Sequence, residues 1–154
     1  MHFVLLLQTV HLLFLWYTLT DLSGLLSLQK LGLEIEVYFA SEILKEAVAV
    51  ARTRLGPTIQ HLGSVGEVTK GILQDILPID MIIGGSPCND LSAVNRFPKD
   101  FYDPNGHSLY FFDFVRVRDL LQIDLAEKNE YRHVLWFFEN VASMPVNYRE
   151  RISW

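Results

Sequence analysis

The sequence predicts an α/β domain built on a parallel sheet, and three observations carry that expectation. Short apolar runs rich in β-branched and aromatic residues recur along the 154 residues. Amphipathic stretches of helical period lie between them, and Gly, Pro or Asn marks most of the junctions. Strands that alternate with helices form βαβ units, whose right-handed crossovers gather ligand-carrying loops at the carboxyl ends of the strands.

Residues 1–20 contain no Asp, Glu, Lys or Arg, and the first charge is Asp21. Residues 1–17 read as an apolar leader that ends in the first strand. The unbroken apolar run at 12–17 suits a central strand buried on both faces. A secretory or membrane-directing segment is the alternative. Against it, the first Lys is Lys30, no small-residue cleavage pattern follows, and Gln8, Thr9 and His11 interrupt a stretch shorter than the about 20 apolar residues a spanning helix needs.

Residues 22–33 place Leu22, Leu25, Leu26, Leu28 and Leu31 at helical spacing and stop at Gly32, so a helix is expected. Residues 35–39 are short, β-branched and aromatic, which predicts a strand. An alanine-rich helix over 42–52 closes at Gly56-Pro57, and a brief strand follows at 59–62. Residues 65–77 predict a helix that ends before Pro78. The apolar stretch 81–83 is a buried strand running into Gly84-Gly85, where two glycines permit a tight turn. A loop rich in Asn, Asp, Pro and Gly spans 86–106, a helix 109–125, and a last strand 134–138. No internal repeat and no linker divides residues 18–154.

Composition narrows the function classes. Half of the residues are hydrophobic and a fifth are charged, which excludes a disordered chain. One cysteine permits no internal disulfide and no multi-thiolate zinc site, so no metal is expected. A net charge of −5 argues against gripping nucleic acid by bulk electrostatics alone. An intracellular domain fits best.

Three features sit where such an architecture places a site. In Gly84-Gly85-Ser86-Pro87-Cys88-Asn89 the only cysteine lies on a polar loop after a strand, with Pro87 fixing the backbone before it. A lone Cys is more often an inert small hydrophobe, but this setting makes Cys88 a nucleophile candidate. Glu139, after four apolar residues in Leu135-Trp136-Phe137-Phe138, is expected to be poorly solvated and held partly protonated; a cap or a satisfied strand-end acid is the bland reading. Glu42, in Ala40-Ser41-Glu42, stands where dinucleotide folds take ribose hydroxyls. The competing reading makes Ser41 an N-cap and Glu42 a first-turn acid. Parallel neighbours would bring Cys88 and Glu139 into one crevice.

Residues 79–92, Ile-Asp-Met-Ile-Ile-Gly-Gly-Ser-Pro-Cys-Asn-Asp-Leu-Ser, closely resemble the catalytic loop of DNA cytosine-5 methyltransferases, and Pro-Cys-Asn followed by Asp-Leu-Ser looks like the de novo branch. Phe138-Glu139-Asn140-Val141 matches that family's Glu-Asn-Val motif, and Tyr38 to Glu42 resembles its ribose-binding segment. The resemblance covers roughly residues 24–154. It implies a Rossmann-like class I S-adenosylmethionine-dependent methyltransferase sheet, with residues 18–154 a partial catalytic domain. It also implies methyl transfer from S-adenosylmethionine to C5 of a cytosine in DNA, in the nucleus. Cys88 would attack C6, Glu139 would engage N3 and the exocyclic amine, and Asn140 would hold the glutamate and the loop, flanked by Pro87 and Asn89. Gly24, Glu42, Ser64, Val65 and Gly84 would face the cofactor, and Arg96 and Lys99 would meet DNA phosphates, unless the loop is simply solvated.

Two departures stand out. The family's first motif, an aromatic followed by Asp-Gly and a second Gly, corresponds here to Thr18-Leu19-Thr20-Asp21-Leu22-Ser23-Gly24, and only the last glycine is retained. Thr18 and Thr20 fill space a cofactor would use, and Ser64 replaces an acid that bonds the adenine amine, so weak cofactor binding is expected. The chain also ends at Trp154, before the family's Arg-x-Arg segment, target-recognition region and closing strands, which reads as a fragment or a reduced relative. The strand at 134–138 would then be an exposed apolar edge. The competing class is a catalytically inactive accessory subunit. It would join a full-length methyltransferase through the aromatic helix bearing Tyr110, Phe111, Phe112 and Phe114; the resemblance separately implies a homodimer or a mixed assembly through that helix.

Overall fold

The structure is a computed structural model that describes residues 9–16, 23–92, 94–97 and 99–153. Five strands, β1 (Thr9–Trp16), β2 (Glu34–Ser41), β3 (Ile59–Gly63), β4 (Met81–Gly85) and β5 (Leu135–Glu139), form one sheet in the order β3-β2-β1-β4-β5. Every pairing is parallel. Among the described residues the α-helices are α1 (Ser23–Lys30), α2 (Lys45–Leu55), α3 (Lys70–Ile76), α4 (Tyr110–Glu127) and α5 (Val146–Ile152). This is the doubly wound order with its reversal at β1, the arrangement expected of a Rossmann-like methyltransferase sheet.

The two-residue period of the strands builds two cores. Leu12, Tyr38, Ala40, Ile59 and Ile83 face one way and pack on Leu25 and Leu28 of α1 and on Ala47 and Ala51 of α2. Their neighbours Leu13, Phe39 and Ile82 face the other way, onto Leu73 of α3 and Phe114, Val117 and Leu121 of α4. The buried face of α2 is alanine alone, which lets that helix approach the sheet closely. Each fully buried Leu or Ile contributes about 1.5–3 kcal/mol. A third cluster, Leu91, Phe101, Phe111 and Met144, seats α5 through Tyr148 and Ile152.

The amino ends of three strands are tied by polar groups. The His11 N–H donates to the Asp80 carboxylate at 2.9 Å, and Asp80 N–H returns a bond to the His11 carbonyl at 3.0 Å. Leu135 N–H donates to the Asp80 carbonyl at 2.9 Å, and Arg132 donates to the Ile79 carbonyl at 2.7 Å and the Asp80 carboxylate at 3.3 Å.

Several local expectations are corrected. The helix predicted from residue 42 begins at Lys45, because Ser41 is the last paired residue of β2 and Glu42 turns back to bond the Leu44 N–H. The helix predicted over 65–77 divides into a 3-10 turn (Val65–Glu67) and α3, whose N-cap Thr69 accepts from Ile72 N–H. Gly84 and Gly85 form no turn: they continue β4, paired with Phe138 and Glu139, and neither has a positive φ. Helix α5, in a stretch too polar to predict, is held by Phe101 stacking on Tyr148 at 5.3 Å. Residues 1–8 of the leader, and Tyr17, Thr18, Thr20 and Asp21, lie outside the described residues. Among the described residues no helix is long and apolar enough to cross a membrane.

Candidate functional site

The sheet register aligns the strand tips. Ser41 pairs with Leu15, Leu15 with Gly84, and Gly84 with Phe138, so these four share one row across β2, β1, β4 and β5. Glu42 and Glu139 each follow that row by one residue. They stand three strand spacings apart, about 14 Å. Between them lies the topological switch point of the strand order, where open α/β sheets take ligands.

Glu42 is buried at 4% exposure, and its Oε1 accepts the Leu44 N–H at 2.7 Å. Ser41 is no N-cap; its hydroxyl donates to the Gly63 carbonyl at 2.8 Å and ties the tips of β2 and β3. Gly63 has φ +79°, and a Cβ there would meet the Glu67 carboxylate at 3.3 Å. Ser64 and Glu67 form a reciprocal capping box, with Glu67 Oε2 accepting the Ser64 N–H. Val65 is buried in the α3/α4 core, and its carbonyl accepts from Arg116 at 2.7 Å. Arg116 also donates to the Val68 carbonyl at 2.6 Å, binding the turn after β3 to α4. Gly24 lies in the first turn of α1, and Gly84 is buried within β4.

On the β4 side, Cys88 opens a 3-10 turn (Cys88–Asp90) three residues past the end of the strand; its side chain lies outside the described set. That turn is fastened from three directions. The Asn140 amide donates to the Ser86 hydroxyl at 2.8 Å and to the Ser86 carbonyl at 3.2 Å. Asn95 donates to the Asn89 carbonyl at 2.6 Å, and the buried Asp90 carboxylate accepts the His107 N–H. Pro87 is half-buried and Asn89 exposed.

Glu139 is paired with Gly85 in the register, one strand from the Cys88 turn. It is exposed, contrary to the poor solvation expected from its apolar neighbours, because among the described residues β5 is an edge strand of the sheet. The edge is open: Trp136 is 42% and Phe137 59% exposed. Arg96 is exposed on the loop after Cys88, beside Val94 at 90% and Phe97 at 81% exposure. Lys99 donates to the Asn105 carbonyl and lines a cleft of about 510 Å³ with Asp90, Ser92, Asn95, Ser143 and Tyr148. The aromatic stripe assigned to a partner is narrower than expected. Phe111 and Phe114 are core residues packed on Phe138, which leaves Phe112, stacked with Tyr102, at the surface.

Sequence reasoning missed Arg116 and Asp90. Both act on partners distant in the chain, Val65 and Val68 for one and His107 for the other, which no local pattern announces. Among the described residues no cluster of His, Cys, Asp and Glu is arranged to hold a metal.

The C-5 cytosine-specific DNA methylase family matches residues 23–147. Among individual relatives, the DNA (cytosine-5)-methyltransferase DRM2 of Arabidopsis thaliana is 33% identical over 64 residues. The DRM2 and DRM1A enzymes of that name from Oryza sativa subsp. japonica are 36% and 38% identical over 47 residues. These matches take in 30–42% of this chain and 8–10% of each relative.

Proposed function

Because the chain belongs to the C-5 cytosine-specific DNA methylase family, we propose that it carries the catalytic half of a DNA cytosine-5 methyltransferase site of the de novo type. One observation carries the reading: Cys88 opens a turn at the tip of β4 while Glu139 and Asn140 end the neighbouring strand, with Asn140 bonded to Ser86. A nucleophile and a carboxylate on adjacent strand tips are what addition to an extruded pyrimidine requires.

In this reading the Cys88 thiolate adds to C6 of the flipped cytosine, forming a C–S bond. A proton delivered to N3 through the Glu139 carboxyl neutralises the negative charge pushed into the ring, and it returns by the same route when the C–S bond breaks. Carbon 5 becomes nucleophilic and gains a methyl group; the C5 proton then leaves to solvent, the C–S bond breaks and its electron pair returns to sulfur. Pro87 and Asn89 shape the turn, and Asn140 holds it against β5. S-adenosylmethionine, when bound, supplies the electrophilic methyl group. The buried Glu42 carboxylate would take a ribose diol at the β2 tip, with Gly24, Ser64, Val65 and Gly84 as the further cofactor contacts of this reading. Arg96 and Lys99 would contact phosphates. The exposed Val94 and Phe97 suit an apolar wedge that fills the stack when a base leaves it. A nuclear location fits such a substrate.

The test is covalent trapping on duplex DNA containing 5-fluorocytosine, with S-adenosylmethionine at millimolar concentration. A shifted protein–DNA band is expected, and Cys88→Ser should abolish it. A band that persists in Cys88→Ser removes the nucleophile. No band with the native chain favours the accessory-subunit reading.

A further inference from the structure

We infer that Asp90 is a positioning residue for the Cys88 turn, clamping it against the turn that opens α4; the inference rests on Cys88 being the nucleophile. Asp90 lies in the same 3-10 turn as Cys88 and is 5% exposed. Its Oδ2 accepts the His107 N–H and lies 3.7 Å from His107 Nδ1. His107 begins the 3-10 turn His107–Leu109, which runs directly into α4 and its buried Phe111, Phe114 and Val117.

Several acceptor side chains of this loop serve local turns. Asn95, Asp100 and Asp103 each accept the N–H two residues further along, the ordinary local turn. Asp90 reaches the His107 N–H across 17 residues; Asp100 also has a distant partner, accepting the Tyr148 hydroxyl at 2.7 Å, but it is exposed whereas Asp90 is buried. A buried carboxylate is tolerated only when its bonds are supplied, so this contact stabilises the juxtaposition of two separate turns. Gly106 shows how closely they approach. Its φ of −91° needs no glycine, yet a Cβ there would lie 3.2 Å from Asp90 Oδ2 and 3.0 Å from the Asp103 carbonyl. The carboxylate and the bare Gly106 backbone therefore fit as a pair, and the rigid core end of α4 sets where the Cys88 turn sits. A displacement of about 1 Å at a nucleophile costs on the order of 100-fold in rate.

Cys88 is the only cysteine of the chain, so alkylation by iodoacetamide, read by intact mass, reports on it without DNA or cofactor. Asp90→Ala is expected to alkylate at least fivefold faster than the native chain. It should trap 5-fluorocytosine DNA on the order of 100-fold more slowly, with DNA affinity changed less than twofold. Gly106→Ala, whose Cβ crowds the Asp90 carboxylate and the Asp103 carbonyl without removing either, should move both rates in the same direction. Asp90→Asn, which keeps an oxygen for the His107 N–H, should restore most of the native behaviour. If Asp90→Ala fails to fold, Asp90→Asn and Gly106→Ala decide. Native alkylation and trapping rates in Gly106→Ala and Asp90→Ala would overturn the clamp. A native chain that never traps DNA, while Gly106→Ala still alters alkylation, would overturn the nucleophile reading and leave the clamp standing.

Discussion

The Asn140 side chain spans two strands: its amide donates to the Ser86 hydroxyl at 2.8 Å and the Ser86 carbonyl at 3.2 Å, while its own oxygen accepts the Val141 N–H at 2.7 Å. The tip of β5 therefore holds the first residue after β4. Asn140→Asp keeps the acceptor but loses the donor and sets a charge against two oxygens. It is expected to cost about 1–3 kcal/mol in urea unfolding and to slow trapping on 5-fluorocytosine DNA on the order of 100-fold. Unchanged stability and trapping would show that the link does not position the turn.

Cofactor affinity should be low and should respond to two residues. Calorimetry is expected to show a dissociation constant for S-adenosylmethionine weaker than about 100 μM. Glu42→Gln should weaken it further, and Thr20→Gly, which restores the glycine of the resembled motif, should strengthen it. A low-micromolar constant for the native chain would contradict the weight placed on Thr18 and Thr20.

The open edge of β5 should make the chain self-associate. Phe137 is 59% exposed, and Trp136 is covered in part by Arg118, whose guanidinium lies 5.5 Å from the ring centroid. An apolar edge strand is a template for pairing with another chain, and an edge lysine blocks it. Phe137→Lys should lower the aggregation seen by light scattering severalfold without lowering the melting temperature. Equal scattering from both chains would place the sticky surface elsewhere.

Asp124 predicts the response to acid. Its side chain is 1% exposed; the hydrogen bond from Lys128, and secondly that from Gln74, hold its carboxyl below the usual carboxylate range. A carboxyl lowered on folding stabilises the fold above its unfolded value, about 4, and that stabilisation is lost as pH falls through the folded value. Asp124→Asn should lower stability at pH 7 by about 1–3 kcal/mol and flatten the loss of stability below about pH 4. Parallel pH–stability curves for the two chains would show the carboxylate to be unimportant.

The strands were legible because their chemistry is local. Runs such as Leu12-Leu13 and Ile82-Ile83 face two cores in alternation, and an unbroken apolar run is the mark of a strand covered on both sides. Glu42, Cys88, Glu139 and Asn140 were legible as candidates because strand tips are where this topology collects ligand loops, and the motifs around the last three are distinctive. The solvation of Glu139 was not legible, since it depends on β5 lacking a neighbour rather than on Phe137 and Phe138 beside it. Helix α5 escaped notice because Val146-Asn147-Tyr148-Arg149 has no apolar stripe of its own; Phe101, far back in the chain, holds Tyr148. The inward turn of Phe111 and Phe114 likewise depends on Phe138, which α4 meets only after folding.

Asp80 bonds at once to His11, Leu135 and Arg132, and so rivets three strands together at their bases. The five residues of β4 set that rivet about 17 Å from the Cys88 turn. The sheet is thus closed like a fan at its handle. Three of the five strands are bound at the end opposite the Cys88 turn, and a substitution at Arg132 would loosen that end.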